Sequence, residues 1–298
     1  MSRVSEKAFM SASLKVAVFP VAGLGTRSLP ATKAVPKEML CVVDKPVLQY
    51  AVEEAKAAGI EEFIFVSSRG KTALEDHFDE HAELYATLEA RKKPEQLKAA
   101  RDAELPPGQF SFVRQAQPLG LGHAVWCARH LVGDRPFAVL LPDEIFKCRT
   151  PLLAQMVKAY EAHGGNMIAV REVPKELTSR YGILAIGKDD GTVAEVTGLV
   201  EKPKPEEAPS DLSIVGRYIL QPEVFGHLDR QERGAGGEIQ LTDAMARLIG
   251  SQPFHGVRFE GDRFDCGDKV GFIAANLAYG LDRPDLSAAL REAVSRYL

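Results

Sequence analysis

Two glycines and three cations stand close together near the start of the chain: Gly23, Gly25, Arg27, Lys33 and Lys37. They follow an apolar run, KVAVFPV at residues 15–21. Glycines after a buried strand let the backbone approach a ligand, and successive N–H groups can form an anion-binding nest. Cations clustered beside such a nest suit a polyphosphate. A glycine turn flanked by solvated lysines fits the same residues, and the loop alone does not choose between the two. Neither familiar phosphate motif is present. A dinucleotide fingerprint needs a third glycine where Ser28 stands, and Pro30 and Pro36 interrupt the helix it would open. No GxxxxGK[ST] string occurs. Further on, Asp143 follows the apolar run FAVLL at 137–141. Ligands in open α/β sheets gather at the carboxyl ends of strands, and carboxylate oxygens suit a hard divalent cation. A lone aspartate there is more often a turn residue. Glu201 and Lys202 close a later strand just before Pro203. His77 and His81 lie four apart in HFDEH, but Phe78 stands where a zinc-protease motif needs glutamate, so both read as surface residues.

The elements that must position these groups alternate along the chain. Apolar runs at 15–21, 62–66, 137–141 and 166–170 read as buried strands. Helical patterns at 48–58, from 74 through 78, at 122–131 and at 152–163 separate them. Continuous apolar strands between helices are the pattern of parallel βαβ units covered on both faces. Residues 79–108 are highly charged and read as a solvated helical excursion in which Pro94 should interrupt any helix. Strands at 181–186, 193–200 and 213–220 follow, then helices at 239–249, 270–279 and 286–298. The expected fold is α/β: a Rossmann-like, mixed but mostly parallel central sheet flanked by helices, with a β-rich addition and C-terminal helices. Residues 1–13 read as a disordered lead-in, and 14–298 as one domain. Its first part spans 14–172 and its second 173–298.

Bulk properties narrow the function. The net charge of −4 gives no basic face for nucleic acid. The four cysteines, Cys41, Cys127, Cys148 and Cys266, form no CxxC pair, which argues against a zinc ribbon and for a reducing compartment. The N-terminal residues lack the apolar core of a signal peptide, and no apolar stretch approaches the ~18 residues of a membrane span. The expectation is a cytoplasmic protein with neither nucleic acid nor membrane as partner.

The string AGLGTRSLPATKAVPKEML, followed by VDKP, resembles the signature of the bacterial UTP–glucose-1-phosphate uridylyltransferases, a branch of the sugar nucleotidyltransferases. The resemblance continues in order through RQAQPLGLGHAVWCA, LLPDE, YGI, VEKPKP, APSDLSIVGRYIL, GGEIQLTDA and FDCGDK, from about residue 15 to about residue 280. One departure is Cys41, where the family usually has proline. The resemblance implies attack of glucose 1-phosphate on the α-phosphorus of UTP, with magnesium and without a covalent intermediate. It assigns Arg27 and Lys37 to the triphosphate, and Ala22, Gly23 and Gly25 to the nucleotide. Glu38 would reach base or ribose, or would be solvated or salt-bridged. Gln115 and Gly120 match the base-reading segment, where a glutamine amide offers a donor and an acceptor to uracil. Gly182, Glu201 and Lys202 match the sugar-phosphate site, with Lys202 as the phosphate clamp. Glu238 is a further sugar contact or simply a first-turn acid. Asp143 is the implied metal ligand and Asp265 its partner, while Asp268 either competes for that role or caps a helix. A homodimer or homotetramer is also implied. Two alternatives stand beside this reading: uridylyl or thymidylyl transfer to another sugar 1-phosphate, and a non-catalytic nucleotide-sugar-binding relative.

Overall fold

The computed structural model describes residues 13–297, so the expected lead-in falls almost wholly outside the described residues. Strand β1 (Val16–Pro20) is followed by a small hairpin, β2 (Cys41–Val42) and β3 (Lys45–Pro46), and by helix α1 (Val47–Ala57). Next come β4 (Glu62–Ser67), α2 (Thr72–Phe78), α3 (Ala82–Ala90), α4 (Pro94–Arg101) and β5 (Phe110–Arg114). Helices α5 (Leu121–Cys127) and α6 (Arg129–Val132) lead to β6 (Phe137–Leu140), β7 (Glu144–Lys147), α7 (Leu152–His163) and β8 (Asn166–Glu172). The second half contains β9 (Gly182–Asp189), β10 (Val193–Glu201), β11 (Leu212–Leu220), α8 (Val224–Leu228) and α9 (Leu241–Leu248). It closes with β12 (Phe254–Arg258), β13 (Asp262–Asp265), α10 (Lys269–Asp282) and α11 (Ser287–Ser295).

One nine-stranded sheet runs through both halves in the order β5-β4-β1-β6-β11-β8-β12-β10-β9. Strands β5, β4, β1 and β6 are parallel, and so is the β8–β12 pair. Strand β11 runs antiparallel between β6 and β8, and β10 and β9 extend the edge in antiparallel fashion. The sheet is mixed, its parallel part carrying the first βαβ units.

Strand β1 shows why its residues read as an unbroken apolar run. Val16 and Val18 face one core layer, with Val125, Phe225 and Met245 of α5, α8 and α9. Ala17 and Phe19 face the other, with Leu48, Leu74 and Leu153 of α1, α2 and α7. Helices on both sides leave no strand face for water, so alternation disappears. A smaller cluster of Val42, Val47, Ile145, Cys266 and Ala275 seats α10 over the two small sheets, β2–β3 and β7–β13.

Four features depart from the sequence reading or refine it. Strands β5 and β12 were not expected: β5 is only half-buried, and β12 carries a histidine and a glycine in FHGVR. Strands β7 and β13 are short and charged, and exist because they pair with each other, Glu144 opposite Asp265. The interruption at Pro94 is there, but proline opens α4 at its first turn, where its missing N–H costs nothing. His77 is a correction: it is half-buried, packs edge-on to Phe78 and lies 2.9 Å from Gln49 Oε1. His81 is exposed and accepts the Leu84 N–H at the start of α3. Among the described residues no helix is long and apolar enough to cross a membrane.

Candidate active site

The parallel strands β1, β4, β5 and β6 end along one edge of the sheet, and three of these ends deliver a group from the motifs. The glycine loop leaves β1, Gln115 follows β5, and Asp143 follows β6. Strand β10 ends in Glu201 and Lys202. A cavity of about 290 Å³ collects Arg27, Asp143, Gly182, Glu201, Lys202 and Asp265 in its wall. A larger cleft of about 860 Å³ lies by the β9–β10 turn, among His163, Glu195 and His255, and no motif residue lines it.

Asp143 is the electrostatic centre. Lys37 Nζ donates to its Oδ2 at 2.6 Å, and Arg27 reaches the same oxygen at 3.5 Å. Burial alone would push the Asp143 carboxyl up, but Lys37 and then Arg27 outweigh it and hold the group below 3.8. Burial would likewise lower Lys37; Asp143 and then Glu38 reverse that, and its net shift is upward from 10.5. Both groups are thus charged at neutral pH. Arg27 is the more exposed member, its side chain 64% exposed against 21% for Lys37. Gly25 makes this packing possible. Its φ is 67°, and a side chain there would press on Lys37 and Thr32.

Asp265 sits across the β7–β13 ladder from Glu144, next to Asp143 in sequence, which brings both expected metal ligands into one wall. Asp265 Oδ1 accepts the Gly267 N–H at 2.9 Å. Asp268 takes the alternative use: it caps α10, accepting the Val270 and Gly271 N–H groups. No cluster of three or more metal-binding side chains occurs among the described residues. Two carboxylates suit magnesium, which is often held by one or two carboxylates with substrate phosphates and water completing the shell.

In the same cavity, Glu201 accepts the Thr242 hydroxyl at 2.8 Å, and Lys202 Nζ lies 3.2 Å from its other oxygen. Gly182 is beside Glu201 Oε2, the only room being that of a missing side chain. Arg263 pairs with Glu144 at 2.5 Å and lies over the Tyr181 ring. Arg180, Gln240, Thr242 and Arg263 line the cavity but were not singled out from sequence. Three of them sit within or beside motif strings, IQLTDA and FDCGD, and Arg180 precedes Tyr181; those neighbours were the available signal.

The remaining expected residues lie outside that cavity's wall. Ala22 and Gly23 start the loop after β1. Glu38 is fully buried in an ion pair with Lys71 at 2.8 Å, so it is salt-bridged and not solvated. Gln115 Nε2 donates to Gly120 O at 3.0 Å and lies 3.0 Å from His123 Nδ1. Its donor half is therefore spent inside the protein, leaving the carbonyl as the half free for a base. Gly120 (φ 109°) abuts Glu238, which is exposed and lies outside the cavity wall.

Residues 17–280 match the family model described as nucleotidyl transferase. The chain is 58% identical over 257 residues to a UTP–glucose-1-phosphate uridylyltransferase of Komagataeibacter xylinus, covering 86% of this chain and 90% of that one. This chain belongs to the UTP–glucose-1-phosphate uridylyltransferase branch of the nucleotidyl transferase family. A Bacillus subtilis member is 48% identical over 273 residues, covering 92% and 93% of the two chains. Among solved structures, a UTP-bound UDP-glucose pyrophosphorylase from Acinetobacter baumannii superposes with a TM-score of 0.88 at 42% identity, covering 95% and 99%. A UDP-glucose pyrophosphorylase complexed with UDP-glucose gives 0.81 at 39%, covering 91% and 100%. The fold is shared with these solved structures.

Proposed function

We propose that this protein transfers the uridylyl group of UTP to α-D-glucose 1-phosphate, giving UDP-glucose and pyrophosphate. The observation that carries the reading is the convergence of Arg27, Asp143, Glu201, Lys202 and Asp265 on one cavity, with Lys37 held at Asp143. A glycine loop with cations and a separate glutamate–lysine pair around one cavity suit two phosphorylated substrates. Relatives with UTP or UDP-glucose bound support that arrangement.

In this mechanism Lys202 grips the sugar phosphate and Glu201 accepts sugar hydroxyls, its carboxylate oriented by Thr242. Arg27 and Lys37 offset the charge that grows on the α-phosphate and on the leaving pyrophosphate. Positioning two anions in line and neutralising them is most of the work in such transfers. The α-phosphorus–oxygen bond to pyrophosphate breaks as the sugar-phosphate oxygen bonds, so no protein nucleophile is needed. Asp143 and Asp265 would hold magnesium, which supplies further charge neutralisation at the phosphates. The Gln115 carbonyl suits the N3–H of uracil. Residues 14–172 would serve the nucleotide and the later part the sugar phosphate, in a cytoplasmic homodimer or homotetramer.

The test is direct. Purified protein with UTP, magnesium and a panel of sugar 1-phosphates should release pyrophosphate fastest with glucose 1-phosphate. No release with any member of the panel would refute transfer, and a faster partner would change the sugar.

A further inference from the structure

Beneath the glycine loop lies a lysine that no motif marked. Lys71 follows β4 at the start of α2, and it is only 7% exposed. Its ammonium donates to the carbonyls of Val21 and Gly23, and reaches Glu38 Oε2 at 2.8 Å and Oε1 at 3.1 Å. An ammonium has three protons. Two go to the loop that leaves β1 and one to Glu38, so none remains for a nucleotide. The bonded groups come from two separate pieces of the site. Val21 and Gly23 flank Ala22, and Glu38 adjoins Lys37, which binds Asp143. Glu38 itself is sealed from water, and Lys71 is its ion-pair partner.

We propose that Lys71 is a positioning residue for the nucleotide: its ammonium ties the carbonyls of the glycine loop to the turn that carries Lys37. Carbonyls drawn down onto a buried cation leave the loop's N–H groups for an anion above it. The same cation fixes Glu38, and through the chain it fixes the base of Lys37. Burial opposes both charges, drawing Lys71 below the ordinary lysine value and Glu38 above the ordinary glutamate value. The pair persists because each partner has no other counter-charge so close. Lys71 therefore acts on UTP without touching it. The inference rests on the nucleotide reading above.

Lys71→Met keeps the length of the side chain and removes the ammonium. Titration of magnesium–UTP by calorimetry should show affinity weakened by about tenfold or more, the scale of lost charge-assisted contacts. The KM for glucose 1-phosphate should move by less than about threefold, because Lys202 and Glu201 bond neither Lys71 nor the groups it holds. Lys71→Arg should recover part of the UTP affinity, which a merely structural loss would not select. Circular dichroism and melting establish that each variant is folded. If Lys71→Met does not fold, Glu38→Gln decides: it neutralises the partner at nearly constant shape and should weaken UTP in the same sense by a smaller factor. Unchanged UTP affinity in a folded variant, or equal changes for both substrates, overturns the inference. Wild-type protein that binds no magnesium–UTP would instead overturn the nucleotide reading itself.

Discussion

At Lys202 the backbone takes a φ of 48°, a left-handed conformation that a lysine adopts only when its surroundings require it. The bend follows the last residue of β10, precedes Pro203 and is tied by the Lys202 N–H to Tyr181 O at 3.0 Å. Replacing the side chain with alanine removes the charge proposed to grip the sugar phosphate, so the KM for glucose 1-phosphate should rise about tenfold to a hundredfold. The KM for UTP should stay within about threefold, and varying each substrate in steady-state assays checks the split. The Lys37–Asp143 pair sets a pH expectation. Asp143 titrates below its unfolded value, so its contribution is present above 3.8 and is lost as pH falls through the lower folded pKa. Lys37 titrates above its unfolded value, so its contribution is present below 10.5 and is lost as pH rises through the higher folded pKa. Carboxyl-carbon NMR of Asp143 should therefore place its inflection below 3.8, and an inflection above that would contradict the pairing. Residue types and order made Arg27, Lys37, Asp143 and Lys202 legible. Burial of Glu38 and the inward Gln115 amide were not, because a sequence gives the group but not the partner facing it.

The join between the start of α5 and the segment before α9 is a matter of elements. Ile239 N–H donates to Leu119 O at 2.7 Å and Gly122 N–H to Ile239 O at 2.8 Å. Gly120 sits inside this join with φ 109°, and an added Cβ would stand 2.8 Å from both Glu238 Cβ and Ile239 O. Gly120→Ala should cost about 1–3 kcal/mol from the unfavourable backbone alone. Denaturant melts should show that loss, and a stability equal to wild type would mean that the join adapts. Long apolar strands could be read directly because both faces are dry. Strands β7 and β13 could not: four charged or mixed residues acquire strand geometry only from a partner more than a hundred positions away, and no local pattern encodes that pairing. Their ladder is what carries Asp265 to Asp143.

Across the whole molecule, Arg217 binds the site edge to the far helix layer. It is fully buried in β11, pairs with both oxygens of Glu54 from α1, and donates to the carbonyls of Leu141, Gly216 and Glu144. Two of those carbonyls bracket Asp143. Glu54→Ala would leave a buried guanidinium without its counter-charge, at a cost of about 3–5 kcal/mol. Lys98→Ala, which breaks an exposed pair with Asp102, should cost less than about 1 kcal/mol. Urea unfolding of both variants checks the contrast, and equal losses would show that burial does not set the scale. The amino-acid sequence by itself determined the α/β class, the glycine loop with its cations, and the acid and lysine that end two strands, since strand burial and motif chemistry are local properties. Only the tertiary structure decided which charges pair, which carboxylates share a wall and which lysine lies beneath the loop. Those depend on distances of a few ångströms between residues remote in the chain, and packing alone fixes them.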